Sequence, residues 1–342
     1  MPLTVEQIDD LTASTLPHLT KRNLAQMAQT FQNYEILSKW FTKEKVQKKG
    51  GHSIEMRLMD QLPDSAAHIT IDQSDNPTIA KLLDKMTIPW RHFQSYYAWY
   101  IEEILMNSGE SEIVDLLSAR RDASKIRTAE VLEIKAWACP VAANKVDPYG
   151  VPYWIVKNPV EGFNGGLPAD HTTIAGLDLD EHPNFKNYTG TYTAISASDL
   201  IRKLRKAMDQ TAFKSPIGKD EFYGMKGKSW RLYTNLETKL AIEDLARAQN
   251  ENLGADLAAM DGQTTVRGNA LMRANPLDSD PQNPIYGINH NTFKVVTLQG
   301  AFFRDSGQMV VPTNHRARVV YNDTTYNYMC MNRRHNFVLY EA

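Results

Sequence analysis

The sequence predicts an α+β fold, on three observations. Residues 110–138 read as one long helix, strand-like and helical segments alternate between about 150 and 260, and the last fifty residues are rich in β-branched and aromatic residues. The alternation over 150–260 by itself suits an α/β or an α+β domain. The helical signal is an apolar stripe of Ile113, Leu116, Ala119, Ala123, Ile126, Ala129 and Leu132 at three- and four-residue steps. Ser108 suits its N-cap, Glu110 and Glu112 suit the positive end of its dipole, and a helix of this length spans about 40 Å.

With 342 residues the chain is long enough for about two domains. Its 42% hydrophobic content and ordinary glycine and proline numbers exclude a disordered or fibrous chain. Thirty-eight Lys and Arg against forty Asp and Glu leave a net charge of −2, which excludes a strongly basic nucleic-acid binder but leaves room for a local positive patch. The basic stretches are Lys43, Lys45, Lys48 and Lys49 around a single Glu44, and six basic against three acidic residues in 286–342. Such runs are expected to be ordinary solvated charge.

Cys139 and Cys330 are too few for a disulfide framework and form no Cys-x-x-Cys motif, so both are expected to be buried thiols in a reducing compartment. The N-terminus lacks a basic region followed by an apolar stretch, and no run of 18 apolar residues occurs; a cytosolic product without a membrane anchor is expected.

In chain order, Leu24, Met27, Phe31, Tyr34, Ile36, Leu37, Trp40 and Phe41 mark an amphipathic helix over about 20–41, ended by the basic run and Gly50-Gly51. Strand-like segments follow at 54–59 and 86–93, joined by a long polar stretch. This hairpin is too mixed in polarity to bury both faces in its own domain, and is expected to lie on something else. Cys139-Pro140 and Asp147-Pro148-Tyr149-Gly150 read as a boundary. Ser196 to Asp199 opens a helix with a capping box in which Asp replaces Glu, Trp230–Thr234 reads as a strand, and 236–250 as a helix. The tail offers strands at 293–298, 316–321, 326–331 and 337–340, with a tight connection at 286–291.

A search for chemistry finds no nucleophile elbow, phosphate-binding P-loop or zinc helix. Gly162-Phe163-Asn164-Gly165-Gly166 lacks the strand-then-helix context of a nucleotide loop and reads as a mobile surface loop. Asp178, Asp180, Glu181 and His182 form the one acidic cluster that might suit a divalent cation, but lack an EF-hand's glycine and distal Glu, so a solvated loop is expected. Arg333-Arg334-His335 reads as a solvated hairpin turn in preference to a phosphate contact. No catalytic, cofactor or metal residues are assigned.

The order of these features resembles the major capsid protein of tailed bacteriophages. Three stretches add to the likeness: Tyr149-Gly150-Val151-Pro152-Tyr153-Trp154, Ala175-Gly176-Leu177-Asp178 with Asn184-Phe185-Lys186-Asn187-Tyr188, and Asn283-Pro284-Ile285-Tyr286-Gly287-Ile288-Asn289. The resemblance covers about 50–342 and implies the fold shared with herpesvirus capsid floors. It places an N-terminal arm at 1–45, an extended loop at 46–105, a peripheral domain with the spine helix at 106–148, an axial domain at 149–285, and a β-rich return to the peripheral domain at 286–342.

The implied function is that of a non-enzymatic, self-assembling shell subunit without cofactors, part of a virion and assembled in the host cytoplasm. Its implied partners are copies of itself in hexamers and pentamers, a separate scaffolding protein, a portal, a decoration protein, and packaged double-stranded DNA in nonspecific contact; no membrane is involved. Head-to-tail contacts of one surface with another close into such rings. Lys43, Lys45, Lys48, Lys49, Arg57, Trp90 and Arg91 are the expected subunit-interface residues. Nothing in the sequence picks out a Lys–Asn isopeptide triad. The rival readings are an encapsulin-like compartment and a β-rich hydrolase centred on Asp178, Asp180 and His182.

Overall fold

The computed structural model describes residue 31 and residues 33–59, 68, 83–106, 110–213, 230–251 and 265–342. Among these the strands in chain order are β1 (Lys45–Lys48), β2 (Ser53–Met59), β3 (Leu83–Pro89), β4 (Arg91–Tyr100), β5 (Gly162–Gly165), β6 (Asn187–Tyr192), β7 (Trp230–Thr234), β8 (Thr265–Val266), β9 (Asn269–Arg273), β10 (Ile285–Asn289), β11 (Phe293–Leu298), β12 (Arg304–Val311), β13 (Asn314–Cys330) and β14 (Phe337–Glu341). Helix and strand are mixed in separate stretches, as an α+β fold requires.

The chain forms two compact units. The first comprises residues 1–50, 91–134 and 297–326, the second 51–90, 135–296 and 327–342. Residues 297–326 join the spine helix, whereas β10 and β14 are neighbours inside the sheet of the second unit.

β13, most of which belongs to the first unit, is the axis of a five-stranded sheet, running β1-β11-β13-β12 with β4 also paired to β13. The two tail strands expected at 316–321 and 326–331 are this single strand of 17 residues. β4 lies antiparallel to it from Tyr100 opposite Ala317 to Arg91 opposite Tyr326. Its alternation is strict: Arg91, Tyr97 and Trp99 point inward, while Gln94, Tyr96, Ala98 and Tyr100 are exposed. The spine helix (Glu110–Ala136) follows β4, and Arg120 and Ser124 donate to the carbonyls of Ala98 (2.8 Å) and Tyr96 (3.3 Å). Side chains thus satisfy acceptors on a sheet edge that would otherwise invite another strand. The helix buries Leu117, Ala129, Leu132 and Ala136, but Ala123 of the expected stripe is exposed. Glu130 and Glu133 replace it on the inner face.

The helix expected at about 20–41 is seen in its last part, a π-turn (Ile36–Trp40) running into Phe41–Lys43; residues before 31 lie outside the described ones. It does not give way to a turn at the basic run, because Lys45–Lys48 extends as β1, whose Lys48 carbonyl accepts from Gln299 N–H at 2.9 Å.

The second unit is built on a seven-stranded mixed sheet, β5-β6-β14-β10-β7-β9-β8, parallel between β14 and β6 and between β7 and β9. Its core packs Tyr188, Tyr192, Leu232, Leu271, Ile285, Phe337 and Leu339 against Leu200 of the π-turn Ala197–Ile201 and against Leu204 and Met208 of the helix Arg202–Thr211. Three expectations change here. Residues 286–291 are mostly strand, because β10 is buried along its whole length and only the turn to Thr292 remains as connection. The Gly-rich segment is an edge strand, β5, rather than a mobile loop, paired with β6. The capping box is half made: Ser196 Oγ accepts from Asp199 N–H (3.1 Å), while the Asp199 carboxylate takes Thr193 and Ala194 N–H and pairs with Lys203 at 2.6 Å. That lysine and the two amides hold the carboxyl well below the usual range.

Candidate assembly site

The expected interface residues fall into two structural groups. Lys43 and Lys49 are exposed, and Lys45 sets its ammonium 4.0 Å from the centre of the Phe302 ring, a cation–π contact. The segment bearing them is riveted to the first unit. Ile36 and Trp40 are fully buried, Phe41 packs edge-on against Tyr326 (5.2 Å), and Ile36 N–H donates to the buried carboxylate of Glu133 at 3.0 Å. A carboxylate at the amino end of this helical segment also meets its dipole favourably.

The second group lies on the hairpin and its root. β2 and β3 pair antiparallel from Ser53 opposite Pro89 to Met59 opposite Leu83. One face, with Ile54, Leu58, Met86 and Ile88, is buried within the chain itself; the sequence reading left this face to some other surface. The other carries Glu55, Arg57, Lys85 and Thr87 in solvent, with Met59 and Leu83 more than half exposed. Lys85 pairs with Glu55 at 2.6 Å. Trp90 ends the hairpin, its indole N–H donating to Gly51 carbonyl at 2.9 Å. The strand expected over 86–93 therefore breaks at Trp90, β3 belonging to the hairpin and β4 to the other sheet. Arg91 is only 8% exposed within this chain, turned inward by the alternation of β4.

The hairpin is held by the turn 174–182. Ile174 and Leu177 exchange two backbone hydrogen bonds of 2.9 Å around Ala175 (φ 50°) and Gly176 (φ 86°), the φ signs of a type I′ turn. A non-glycine residue in that region costs about 1–2 kcal/mol, which the surroundings of Ala175 offset. Its N–H donates to Tyr153 Oη (2.9 Å) and its carbonyl accepts from Thr87 N–H (2.9 Å). His182, expected in a solvated acidic loop, is 5% exposed and lies 3.6 Å from Asp84 of β3. Asp178 Oδ1 meanwhile accepts from Asp180 N–H in the local turn. Among the described residues no group of three or more His, Cys, Asp or Glu is placed to hold a metal.

Arg333 is the largest departure from expectation. Far from a solvated turn, its side chain is fully buried and donates to Trp154 carbonyl (2.6 Å), Phe185 carbonyl (2.9 Å), Gly166 carbonyl (3.0 Å) and Asn187 Oδ1 (2.8 Å). Burial lowers its pKa to about 10, so it remains a cation at neutral pH, surrounded by carbonyl dipoles. Asn187, also fully buried, in turn accepts from Val156 N–H (3.0 Å) and donates to Val156 carbonyl (3.0 Å). Arg334 lies over the rings of Phe163 (4.5 Å) and Phe213 (4.9 Å).

His335 completes the segment, buried with its ring edge-on to Phe213, and burial lowers its pKa to about 4. The unfolded chain binds the proton first, so stability is full above the ordinary histidine value of 6.5 and falls as pH drops towards 4. The slope there should reach about 1.4 kcal/mol per pH unit. Urea unfolding between pH 4 and 7 checks this: H335L should flatten the slope, and an unchanged profile would contradict the assignment.

No protein-family model matches the chain, and no curated protein matches it. Solved structures do. The capsid asymmetric unit of cyanophage A-1(L) superposes with a TM-score of 0.65 at 12% identity, over 96% of this chain and 98% of that one. The capsid of the native GTA particle gives 0.57 at 14% identity, over 95% and 96%. The capsid of Myoviridae phage XM1 gives 0.53 at 13%, over 95% and 98%. At such identities the agreement is one of backbone architecture along nearly the whole of both chains: this chain has the fold of tailed-phage capsid subunits.

Proposed function

We propose that the chain is a major capsid protein, the subunit of the icosahedral shell that encloses the double-stranded DNA of a tailed bacteriophage. The observation that carries this reading is the end-to-end match with capsid subunits, in which neither chain has a large unmatched part. Its role is structural: it acts by binding copies of itself in rings of five and six, each contact modest and the shell stable through their number.

The surfaces that suit this role are the outer face of the β2–β3 hairpin and the open face of the β4–β13–β12 sheet. The first presents Arg57 and Lys85 beside Met59 and Leu83; the second presents Tyr96, Tyr100 and Met309, with Asp323 in register with Gln94. Exposed aromatic and aliphatic side chains flanked by opposite charges on the two surfaces are the composition of a specific contact. We assign the hairpin of one copy to the sheet face of the next. Lys43, Lys45, Lys48 and Lys49 are assigned to intersubunit ion pairs in preference to the genome. A separate scaffolding protein, a portal, a decoration protein and the DNA complete the assembly.

Negative-stain electron microscopy and size-exclusion chromatography of the purified protein test this reading. Closed shells, tubes or five- and six-fold rings are expected, with DNA rather than cargo protein in the phage particles. Changing the four lysines to glutamine should lower the yield of shells severalfold without altering the subunit's circular dichroism. A monomer that stays unassembled when scaffolding and phage proteins are supplied would overturn the function.

A further inference from the structure

We propose that the turn 174–182 is a latch that sets the direction in which the β2–β3 hairpin leaves the subunit, with His182 and Asp84 as its positioning residues. The inference rests on the shell reading and adds to it: the hairpin is aimed by its own subunit before it meets a neighbour.

One hydrogen bond and one close approach of an imidazole to a carboxylate join the turn to β3. Thr87 N–H donates to Ala175 carbonyl at 2.9 Å, and Asp84 Oδ2 lies 3.6 Å from His182 Nε2. They are three positions apart, about 10 Å along an extended strand. The buried face of Ile54, Leu58, Met86 and Ile88 holds the hairpin against its own chain, and these two points, that far apart, add a fixed direction for β3.

The turn itself is well braced. Ala175 sits in the left-handed region, 5% exposed, with its N–H on Tyr153 Oη and its carbonyl turned to Thr87. Tyr153 is 1% exposed and stacks on Tyr149 with ring centroids 4.0 Å apart. His182 is tied back by its own N–H to Asp178 carbonyl at 3.0 Å, and Phe185 N–H bonds to the His182 carbonyl, also at 3.0 Å. The same run then reaches Arg333 through Phe185 carbonyl at 2.9 Å. The hairpin's direction is thus referred through a continuous set of bonds to the buried Arg333.

A hairpin that must meet a neighbour's surface binds better if its direction is set beforehand, because less freedom is lost on association. The outward face of the hairpin, with Arg57 and Lys85, takes no part in the latch and remains free for a second copy. Latch and contact surface therefore lie on different sides of one two-stranded element.

Backbone amide hydrogen exchange on the unassembled full-length subunit tests this, in the wild type and in H182A, D84A, D84N and the double variant H182A/D84A. The expected result is exchange at least tenfold faster over 83–89 in the alanine variants, a smaller change in D84N, which keeps an acceptor for the imidazole, and no change in β6, β10 or β14. The double variant should be no worse than the worse single one, since both remove the same attachment. In assembly trials the alanine variants should give open or misclosed particles in place of closed shells. Unchanged exchange over 83–89 would overturn the latch, and so would a uniform acceleration across the sheet strands, which would mark a merely structural role. The exchange readout needs no assembly. A wild-type chain that forms no shells would thus overturn the shell reading while the exchange still decides the latch.

Discussion

Replacing Arg333 with methionine is expected to lower the stability of the subunit by about 3–5 kcal/mol, the usual consequence of removing one side of a buried charged network. Methionine fills much of the volume, so packing alone would predict a mild effect. The difference lies in what is left behind: Trp154, Phe185 and Gly166 carbonyls and Asn187 Oδ1 all lose their donor. Each unsatisfied buried acceptor costs about 1–3 kcal/mol, partly offset because a buried cation is no longer desolvated. Against a total stability of about 5–15 kcal/mol this change is large enough to leave much of the chain unfolded. Lysine should recover less than half of the loss, because an ammonium has no planar fork to reach four acceptors at once. Urea unfolding of the unassembled subunit, followed by fluorescence of the six tryptophans, reads the effect. A midpoint for R333M within error of the wild type would remove the arginine from its place as organiser of the second unit.

Gly287→Ala is expected to cost about 3 kcal/mol through overpacking, for a reason that no local propensity contains. Gly287 lies in β10 between Leu232 of β7 and Phe337 of β14, and both neighbours are fully buried. A methyl group on Gly287 would overlap three carbons of the Phe337 ring. That ring is packed in the core and cannot swing aside, so the strands would have to separate. A double-mutant cycle with F337L separates this cause from a general effect on the strand. The smaller leucine should make room, and the two changes together should cost at least 1 kcal/mol less than their sum. Strict additivity would show that the ring is not what excludes the methyl.

The helices and strands with strong period were legible in the sequence: the spine helix, the helix at 236–250, the strand at Trp230 and the tail strands at Phe293 and Phe337. The misread segments share a cause. β5 and β10 both carry Gly and Asn, which speak for turns when taken locally. They are strands here because the glycines let Asn187 and the Phe337 ring come close, a requirement visible only when the partner strand is known. The break at Trp90 was hidden for a similar reason, since residues 83–100 all have strand character and only pairing with β2 or with β13 divides them.

For the candidate site the division is the same. The mixed polarity of the hairpin and the lysines before it were readable from period and charge alone, whereas the division into one apolar and one charged face came with the register of β2 on β3. The inward turn of Arg91, the His182–Asp84 pair and the bond from Thr87 to Ala175 join positions about 90 or more residues apart or depend on strand register, and no spacing rule reports them. Arg333 is the clearest case. Two adjacent arginines beside a histidine look solvated because a charge without a carboxylate partner is costly to bury. The fold reverses that cost by bringing four acceptors from 154–187 onto one guanidinium. By itself the sequence determined the class of fold, the order of its parts and the amphipathic surfaces, because these follow from period and polarity along the chain. Which polar groups are buried, and what aims the hairpin, was decided only by the tertiary structure, because hydrogen bonds between distant segments depend on where the whole chain places its carbonyls.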